Sequence, residues 1–261
     1  MRIQRLQWAG VLIELNEKTI LIDPVYKSPQ TSFFGSPKTP FSPMVHLRKP
    51  DFILITHLHS DHFDPDWISG KAGKDITLLV PAGTEGVVKG YGFTNVMGFT
   101  EGERLQAGDI DIITAPAVDG LGDRQVSWII KSAGQTIIHC GDTLWHGHWQ
   151  ALGERYGPFT AAFLPVNGAV VNEPGAIQSG QPICLTPEQA IAAAKVLRAG
   201  VLIPIHYGSF HYPPLYNETP DVIERVIRQS QKEKVNVRVL NEHESFVLDE
   251  QGQQCEINDQ P

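Results

Sequence analysis

A short stretch of this chain holds the side chains best suited to binding metal ions. His57, His59, Asp61 and His62 directly follow the apolar run Phe52–Ile55, which is typical of a buried strand. His57 and His59 are two residues apart, so an extended chain projects both to the same side, whereas Asp61 and His62 lie in the turn that leaves the strand. Imidazole and carboxylate groups bind divalent metals, and the spacing therefore predicts two adjoining metal positions. The alternative is a surface loop of polar residues, which would suit a lone histidine better than this cluster.

The pattern H-x-H-x-D-H in this stretch resembles the signature of the metallo-β-lactamase superfamily, and motifs further along the chain support the resemblance. Gly141-Asp142-Thr143 follows the apolar run Gln135–Cys140 and resembles the G-D-T motif whose aspartate bridges two metals. His206 follows another apolar run, Val201–Ile205. The resemblance implies an α/β fold of the four-layer αββα sandwich type, with residues 1–261 forming a single domain.

The resemblance also implies which residues would hold two divalent metal ions. Each metal position takes three residues of its own, and an aspartate lies between the two positions. The first position takes His57, His59 and Asp119, the second takes Asp61, His62 and His206, and Asp142 lies between them. His57, Asp119, Asp142 and His206 each follow a separate apolar run, so they can meet only if the strands lie side by side and their ends form one rim.

Asp119 is the clearest departure from this family. Many relatives carry a histidine at this position, shortly after a Pro-Ala pair that is here Pro116-Ala117. A carboxylate in place of an imidazole adds one negative charge, which should raise the pKa of bound water and favour harder ions such as manganese or iron over zinc. The alternative is that Asp119 does not bind metal and leaves the first position weak or empty.

The activity implied by the resemblance is that of a metal-dependent hydrolase acting on a small-molecule substrate. A metal-bound hydroxide would attack an ester, lactone or phosphodiester bond, in substrates that include anionic ones. Asp61 and Asp142 would also move protons during turnover. Tyr207 and His211 are further catalytic candidates on the substrate side, Tyr207 as a phenol that steadies an oxyanion. A core or surface role is equally open for both.

Within the superfamily, four motifs resemble the ascorbate-6-phosphate lactonase-like branch. In chain order they are Thr56–His62, Gly141–Thr143, Pro165–Gly168 and Pro204–Phe210. The last motif also resembles N-acylphosphatidylethanolamine phospholipase D. Two aperiodic loops, residues 25–50 and 169–185, are expected to flank the site and to choose the substrate. We interpret the first loop as a flap or a subunit contact, so a homo-oligomer is one alternative.

Composition and charge bear on the competing functions. The chain has 261 residues and a formal net charge of −8, without a basic block, which argues against a nucleic-acid partner and against a nuclease of the same fold. A non-catalytic metal-binding protein with a degraded site is a third hypothesis. The three cysteines are widely spaced and predict neither a disulfide framework nor a cysteine-zinc site. With no apolar run of membrane-spanning length and no signal-peptide core, we expect a cytoplasmic protein.

Two elements late in the chain can be predicted in more detail. Thr186, Pro187 and Gln189 indicate the start of a helix with a capping box, and Gly200 is expected to end that helix. Val235–Leu240 alternates between apolar and polar residues and is expected to be the closing strand. The polar tail after Val247 is expected to be loose.

Three further polar residues have open roles. Asp23 follows a predicted strand and could orient a metal-bound histidine, although an aspartate before a proline often only turns the chain. His146 and His148 lie two residues apart just beyond Asp142. They could bind metal, but their position suits the substrate face or the start of a helix better.

Overall fold

Two β-sheets packed face to face form the centre of the structure. This computed structural model describes residues 1–15, 17–27, 33–42, 44, 47–248 and 254–255. Parts of the predicted loop 25–50 and most of the predicted loose tail lie outside these residues. In chain order the strands are β1 (Arg2–Arg5), β2 (Val11–Leu15), β3 (Lys18–Ile22), β4 (Phe52–Leu54), β5 (Thr77–Pro81), β6 (Val96–Phe99), β7 (Arg104–Ala107), β8 (Ile110–Pro116), β9 (Val126–Ser132), β10 (Gln135–His139), β11 (Ala161–Pro165), β12 (Val170–Val171), β13 (Val201–Ile205), β14 (Tyr216–Asn217), β15 (Ser245–Leu248) and β16 (Gln254–Cys255).

The first sheet has the strand order β16-β15-β1-β2-β3-β4-β5-β6, and the second has the order β13-β11-β10-β9-β8-β7. Strands β3 to β6 run parallel, as do β10, β11 and β13, whereas the other neighbours are antiparallel. In β4, Ile53 lies opposite Leu21 of β3 and Leu78 of β5. A strand between parallel neighbours is covered on both faces, which explains why β4 is a continuous apolar run.

Helices cover the outer faces of both sheets. They are α1 (Pro65–Ala72), α2 (Glu85–Gly90), α3 (Trp149–Tyr156), α4 (Pro187–Val196) and α5 (Val222–Glu233). In the part of the chain described here, no helix is long and apolar enough to cross a membrane.

Three clusters of buried apolar residues show how the layers stack. Leu54 of β4 packs in one cluster with Trp128 of β9, between the two sheets. The adjacent Ile53 points the other way and packs with Ile68 of α1. Ile191 of α4 belongs to a third cluster, on the outer face of the second sheet. The layers therefore run helix, sheet, sheet, helix, and the predicted four-layer fold is confirmed.

Helix α4 begins as the sequence predicts. Thr186 Oγ1 accepts a hydrogen bond from the backbone N–H of Gln189 at 3.3 Å, and Gln189 Oε1 accepts one from the N–H of Thr186 at 3.0 Å. Pro187 occupies the first helical position, where its missing N–H costs nothing. This reciprocal capping box satisfies two N–H groups that a helix start otherwise leaves unbonded.

The predicted end of this helix is wrong. The helix ends at Val196, and Arg198 takes the left-handed conformation with a φ of 54°. The Arg198 guanidinium donates a hydrogen bond to the carbonyl oxygen of Gly153 in α3 at 2.6 Å, which holds this turn in place. Gly200 lies beyond the turn, directly before β13.

The predicted closing strand at Val235–Leu240 is also wrong. This segment runs along the outer edge of β13 and makes two backbone hydrogen bonds to Leu202, which give an isolated bridge rather than a strand. The strand that returns to the first sheet is β15, which pairs antiparallel with β1. The alternation of apolar and polar residues reflects two sides of this segment that differ in burial. A strand also needs a neighbour that it bonds along its length, and among the described residues the backbone of this segment bonds its neighbour at one residue only.

Candidate metal centre

Segments that follow three strands bring four of the predicted ligands together at one edge of the sandwich. His57 follows β4, Asp119 follows β8 and Asp142 follows β10. With His59 they form what we call the first ligand group, in which one ligand atom of each residue lies within 4.8 Å of the others. His57 Nε2 is 3.7 Å from Asp142 Oδ1, and His59 Nδ1 is 3.6 Å from Asp119 Oδ2.

Asp61, His62 and His206 form the second ligand group, again with one ligand atom of each residue within 4.8 Å of the others. Asp61 Oδ2 lies 3.5 Å from His62 Nε2 and 3.4 Å from His206 Nε2. The two groups adjoin, because the ring centroids of His57 and His62 are 4.1 Å apart. For each position the structure brings together the same three residues that the sequence analysis assigned to it. Asp142, which was expected between the two positions, lies in the first group.

Both groups contain buried ligand atoms without a hydrogen-bond partner. Among the described residues, these atoms are His57 Nε2, His62 Nε2, Asp119 Oδ2, Asp142 Oδ1, His206 Nδ1 and His206 Nε2. A buried polar atom that makes no hydrogen bond destabilises the fold by roughly 1–3 kcal/mol. Here lone pairs of imidazole and carboxylate groups converge with no hydrogen-bond donor between them. A divalent cation can satisfy such an arrangement. The residues present in each group therefore fit the binding of a metal ion.

The local electrostatics favour a cation at this place. Burial raises the pKa of Asp142 to about 7, and although His62 opposes this rise, the nearby carboxylate of Asp119 adds to it. Burial lowers the pKa of His206 to about 4 despite the opposing effect of Asp61, and it also lowers the pKa of His57 well below its usual value. Neutral imidazoles offer the lone pair that a metal needs, and cations would stabilise the crowded carboxylates.

Asp23 lies where it can orient a ligand of the second group. Asp23 Oδ2 is 2.8 Å from His62 Nδ1, the ring nitrogen on the far side from Asp61. Thr56 fixes the Asp23 carboxylate by donating from its backbone N–H at 2.8 Å and from its hydroxyl at 2.6 Å. A carboxylate in this position sets the tautomer and the direction of a metal-binding histidine. The geometry matches the orienting role and not only a turn.

Trp8 is a part of the centre that the sequence analysis did not identify. Its indole Nε1 donates to Asp61 Oδ2 at 3.0 Å, and its ring centroid is 4.0 Å from that of His206. The backbone N–H of His206 also donates to the carbonyl oxygen of Trp8 at 3.1 Å. Trp8 therefore positions two ligands of the second group. A tryptophan within a strand-like pattern carries no signal for such a role.

The loop after β8 holds Asp119 so that one carboxylate oxygen faces the other ligands. Asp119 Oδ1 accepts hydrogen bonds from the backbone N–H groups of Leu121 at 2.6 Å and Asp123 at 3.1 Å. Its other oxygen, Oδ2, is directed at His57 and His59. This orientation leaves Oδ2 directed at the other residues of the first ligand group, as a metal ligand would require.

Asp123 adds a further contact that the sequence analysis missed. Its Oδ2 lies 2.7 Å from His59 Nε2, the ring nitrogen on the opposite side from Asp119. The Asp123 side chain is 66% exposed, in contrast to the buried Asp23 that holds His62. The short spacing between Asp119 and Asp123, with glycines between them, was the available signal.

A cavity of about 550 Å³ opens onto both ligand groups. Its floor includes His59 and Asp142 of the first group and Asp61 and His206 of the second. Part of its wall comes from the two loops that were predicted to flank the site. They contribute Phe33 and Phe34 from residues 25–50, and Ala176, Ile177, Gln178, Ser179 and Ile183 from residues 169–185.

The structure does not bring Tyr207 and His211 to this cavity. Both line a separate cavity of about 440 Å³. The guanidinium of Arg5 lies over the Tyr207 ring, 4.6 Å from its centroid. The left-handed conformation of His206, with a φ of 57°, turns the chain between the ligand and these residues. Their predicted contact with substrate is therefore not supported by their position.

His146 and His148 lie next to α3 rather than in either ligand group. The His146 ring stacks on Trp149 at a centroid distance of 4.4 Å, and its Nδ1 accepts a hydrogen bond from the N–H of His148 at 3.2 Å. His148 directly precedes the first residue of the helix. This placement agrees with the interpretation as a helix start.

Known proteins resemble this chain over nearly its whole length. The family described as "Beta-lactamase superfamily domain" matches residues 18–207. A protein named "UPF0173 metal-dependent hydrolase" from Thermococcus kodakarensis is 26% identical over 264 residues, which cover 95% of this chain and 100% of the relative.

Two solved structures show the same fold. Igni18, described as a novel metallo hydrolase from the hyperthermophilic archaeon Ignicoccus hospitalis, has a TM-score of 0.70 and 23% identity, covering 94% of this chain and 97% of that chain. An isothiocyanate hydrolase from Delia radicum gut bacteria has a TM-score of 0.77 and 17% identity, covering 95% and 99%. The predicted superfamily and the predicted class of metal-dependent hydrolase are confirmed. From its family match, its fold and its converging ligands, the chain belongs to the beta-lactamase superfamily.

Proposed function

We propose that this protein hydrolyses an ester, lactone or phosphodiester bond in a small molecule, using two divalent metal ions held by the two ligand groups. The observation that carries the proposal is the convergence of buried, unbonded ligand atoms from both groups beneath one cavity. A cavity of about 550 Å³ has the size of small-molecule sites in enzymes.

The two ions would supply a water-derived nucleophile at neutral pH and polarise the substrate oxygen. The protein's own residues then position the reactants and handle protons. Asp61 and Asp142 both lie in the cavity floor, so a carboxylate oxygen of either residue that does not bind metal could accept a proton when the substrate bond is attacked. Trp8 and Asp23 hold Asp61 and His62 in place, so the second position is preorganised before substrate binds.

For the metal we infer manganese or iron ahead of zinc. Asp119 presents one carboxylate oxygen to the first position where relatives present an imidazole, and oxygen ligands favour harder ions. We propose an ester or lactone among the hydrolysed bonds because four motifs of the sequence resemble the lactonase-like branch of the superfamily. A cytoplasmic location and a homo-oligomer remain predictions from the sequence.

Metal analysis combined with a substrate panel tests the proposal. The protein is purified without added metal, loaded with manganese, iron or zinc, and assayed on 4-nitrophenyl acetate, γ-butyrolactone and bis(4-nitrophenyl) phosphate. We expect about two metal ions per chain and turnover of at least one substrate. The variant His59→Ala should lose activity, whereas His148→Ala, beside α3, should retain it.

A fully loaded protein that turns over none of these bonds would overturn the proposal in favour of a metal-binding protein without catalysis. Cleavage of RNA at a rate above that of the small diester would favour a nuclease instead. The formal net charge of −8 makes this second outcome an unexpected one.

A further inference from the structure

The cavity over the candidate metal centre has a polar floor and apolar walls. The floor carries the ligands already described. Beside the polar Gln178 and Ser179, the walls carry three aromatic and three aliphatic side chains, which are Phe33, Phe34, Tyr216, Leu121, Ile177 and Ile183. These side chains belong to the core between the two sheets or pack against it, so they offer a fixed surface rather than loose loop residues.

The Tyr216 hydroxyl does not alter the apolar character of this wall. Tyr216 is fully buried, and its hydroxyl oxygen accepts a hydrogen bond from Asn167 Nδ2 at 2.8 Å. Phe34 packs against the Tyr216 ring at a centroid distance of 4.7 Å. Tyr216 therefore contributes its ring to the wall, while its hydroxyl is held by another part of the fold.

Among the described residues that line the cavity there is no lysine or arginine to pair with an anionic group of the substrate, and the two histidines there, His59 and His206, belong to the ligand groups. Among nearby cations, Lys38 pairs with Glu218 at 2.9 Å on the separate cavity. Arg124 donates to the carbonyl oxygen of Ala82 at 2.9 Å. Recognition of a phosphate or carboxylate away from the reacting bond needs such groups.

Bound metal ions would not create a surplus of positive charge either. The ligands Asp61, Asp119 and Asp142, together with the cavity-lining Asp123, carry four negative charges when ionised. Two divalent ions balance those four charges. A charged substituent on the substrate would thus lose its hydration without gaining a compensating partner.

We propose that the substrate is an uncharged ester or lactone whose aryl or medium-length alkyl group lies against this apolar wall. The proposal rests on the hydrolytic function proposed above and narrows it to neutral, apolar substrates. The hydrolysed bond would lie over the ligand groups, and the apolar group would extend toward Ile177 and Phe33. This narrows the sequence-based expectation, which included anionic substrates.

Binding of two matched amides tests the apolar wall without requiring catalysis. N-hexylacetamide and 6-acetamidohexanoate share their amide and most of their chain but end in a methyl group and a carboxylate, respectively. In the metal-loaded protein, titration followed by NMR should show N-hexylacetamide binding at least about tenfold more tightly, because the carboxylate has no partner in the cavity. Equal affinities, or tighter binding of the carboxylate, would overturn the proposal even if hydrolysis is observed.

Substitution in the wall should reverse this preference. Ile177→Lys places a cation beside the chain and is expected to weaken N-hexylacetamide binding about tenfold while strengthening that of 6-acetamidohexanoate. Leu121→Lys provides a second, half-buried position if the first variant does not fold. Ile227→Lys, an identical change at a 42% exposed position on α5, is the control and should leave both affinities unchanged.

Hydrolysis of matched 4-nitrophenyl esters links the binding result to turnover. We expect the kcat/KM of the hexanoate ester to exceed that of the acetate ester and of the adipate monoester, each by about tenfold. If acetate, hexanoate and adipate esters are hydrolysed equally well, the hydrolase function stands and the apolar-wall proposal fails. If no ester is hydrolysed but the amide preference is observed, the wall proposal stands as a binding property and the hydrolase function fails.

Discussion

The two ligand groups differ in how firmly the rest of the fold holds them. In the second group Asp61 and His62 are buried and are held by the buried side chains Trp8 and Asp23. In the first group the His59 side chain is 25% exposed, and its outer nitrogen contacts the exposed Asp123.

In the proposed centre, this difference separates a preorganised ligand group from an adjustable one. The second group is held by the buried side chains of Trp8 and Asp23, so the directions of its ligands cannot change without disturbing the buried interior. The first group depends on the loop after β8, which supplies both Asp119 and Asp123. The departure from the family's usual histidine occurs in this loop-borne group, where a change of ligand disturbs the least structure.

Removing a ligand of the preorganised group should have the largest effect. In Asp61→Asn the neutral amide no longer balances a cation between His62 and His206, and we expect kcat/KM to fall on the order of 10³-fold with loss of about one metal ion per chain. Steady-state kinetics and elemental analysis measure the two effects. Asp66→Asn, the same change at an exposed residue paired with Lys27, is the control. Two retained metal ions in Asp61→Asn would show that the second group is not a metal position.

Loss of the indole hydrogen bond should weaken the second position without removing a ligand. Trp8→Phe keeps an aromatic ring beside His206 but leaves Asp61 Oδ2 without its donor, so we expect metal affinity at this position to fall roughly 10- to 100-fold. Competition with a chelating dye measures the affinity of each position. Trp145→Phe, at a 45% exposed tryptophan, should change neither affinity. An unchanged affinity in Trp8→Phe would mean that Trp8 serves packing only.

Replacing the unusual ligand of the first group should change which metal is preferred. Asp119→His restores an imidazole and removes one negative charge, so we expect the ratio of zinc to manganese affinity at the first position to rise by about tenfold. Loading from equimolar mixtures of the two metals gives the ratio directly. The second position should keep its ratio, and a change there of equal size would mean that the two groups are not independent.

Disturbing the exposed contact of the first group should have the smallest effect. Asp123→Asn keeps a hydrogen-bonding oxygen near His59 but removes a charge that solvent already screens, so we expect metal affinity to fall less than about tenfold. Asp75→Asn, at an aspartate that pairs with Lys49 and is 78% exposed, is the matched control. If Asp123→Asn lowered metal affinity as much as Trp8→Phe does, the first group would be held as firmly as the second, contrary to our interpretation.

Sequence reasoning could identify the ligands because their chemistry is local. His57, His59, Asp61 and His62 share one strand end, and that spacing has few other uses. The resemblance to the superfamily then linked this cluster to Asp142 and His206.

Residues that contact the ligands but lie far from them in the sequence have no local motif that would reveal their role. Trp8 and Asp61 are 53 residues apart in the chain, and His59 and Asp123 are 64 apart. Both contacts exist because separate strands end at the same edge of the sandwich. The end of α4 was missed for a related reason, since an Arg198 side chain bonded to another helix stabilises a turn that composition assigns to glycine.

The contact between Trp8, Asp61 and His206 ties the first ten residues to a strand near residue 205. The turn between β1 and β2 and the segment after β13 both contribute to the second group, so this group is complete only when the two stretches lie together. A metal ion bound there would tie these distant stretches to each other, and its release should accompany the separation of the β1–β2 turn from the end of β13.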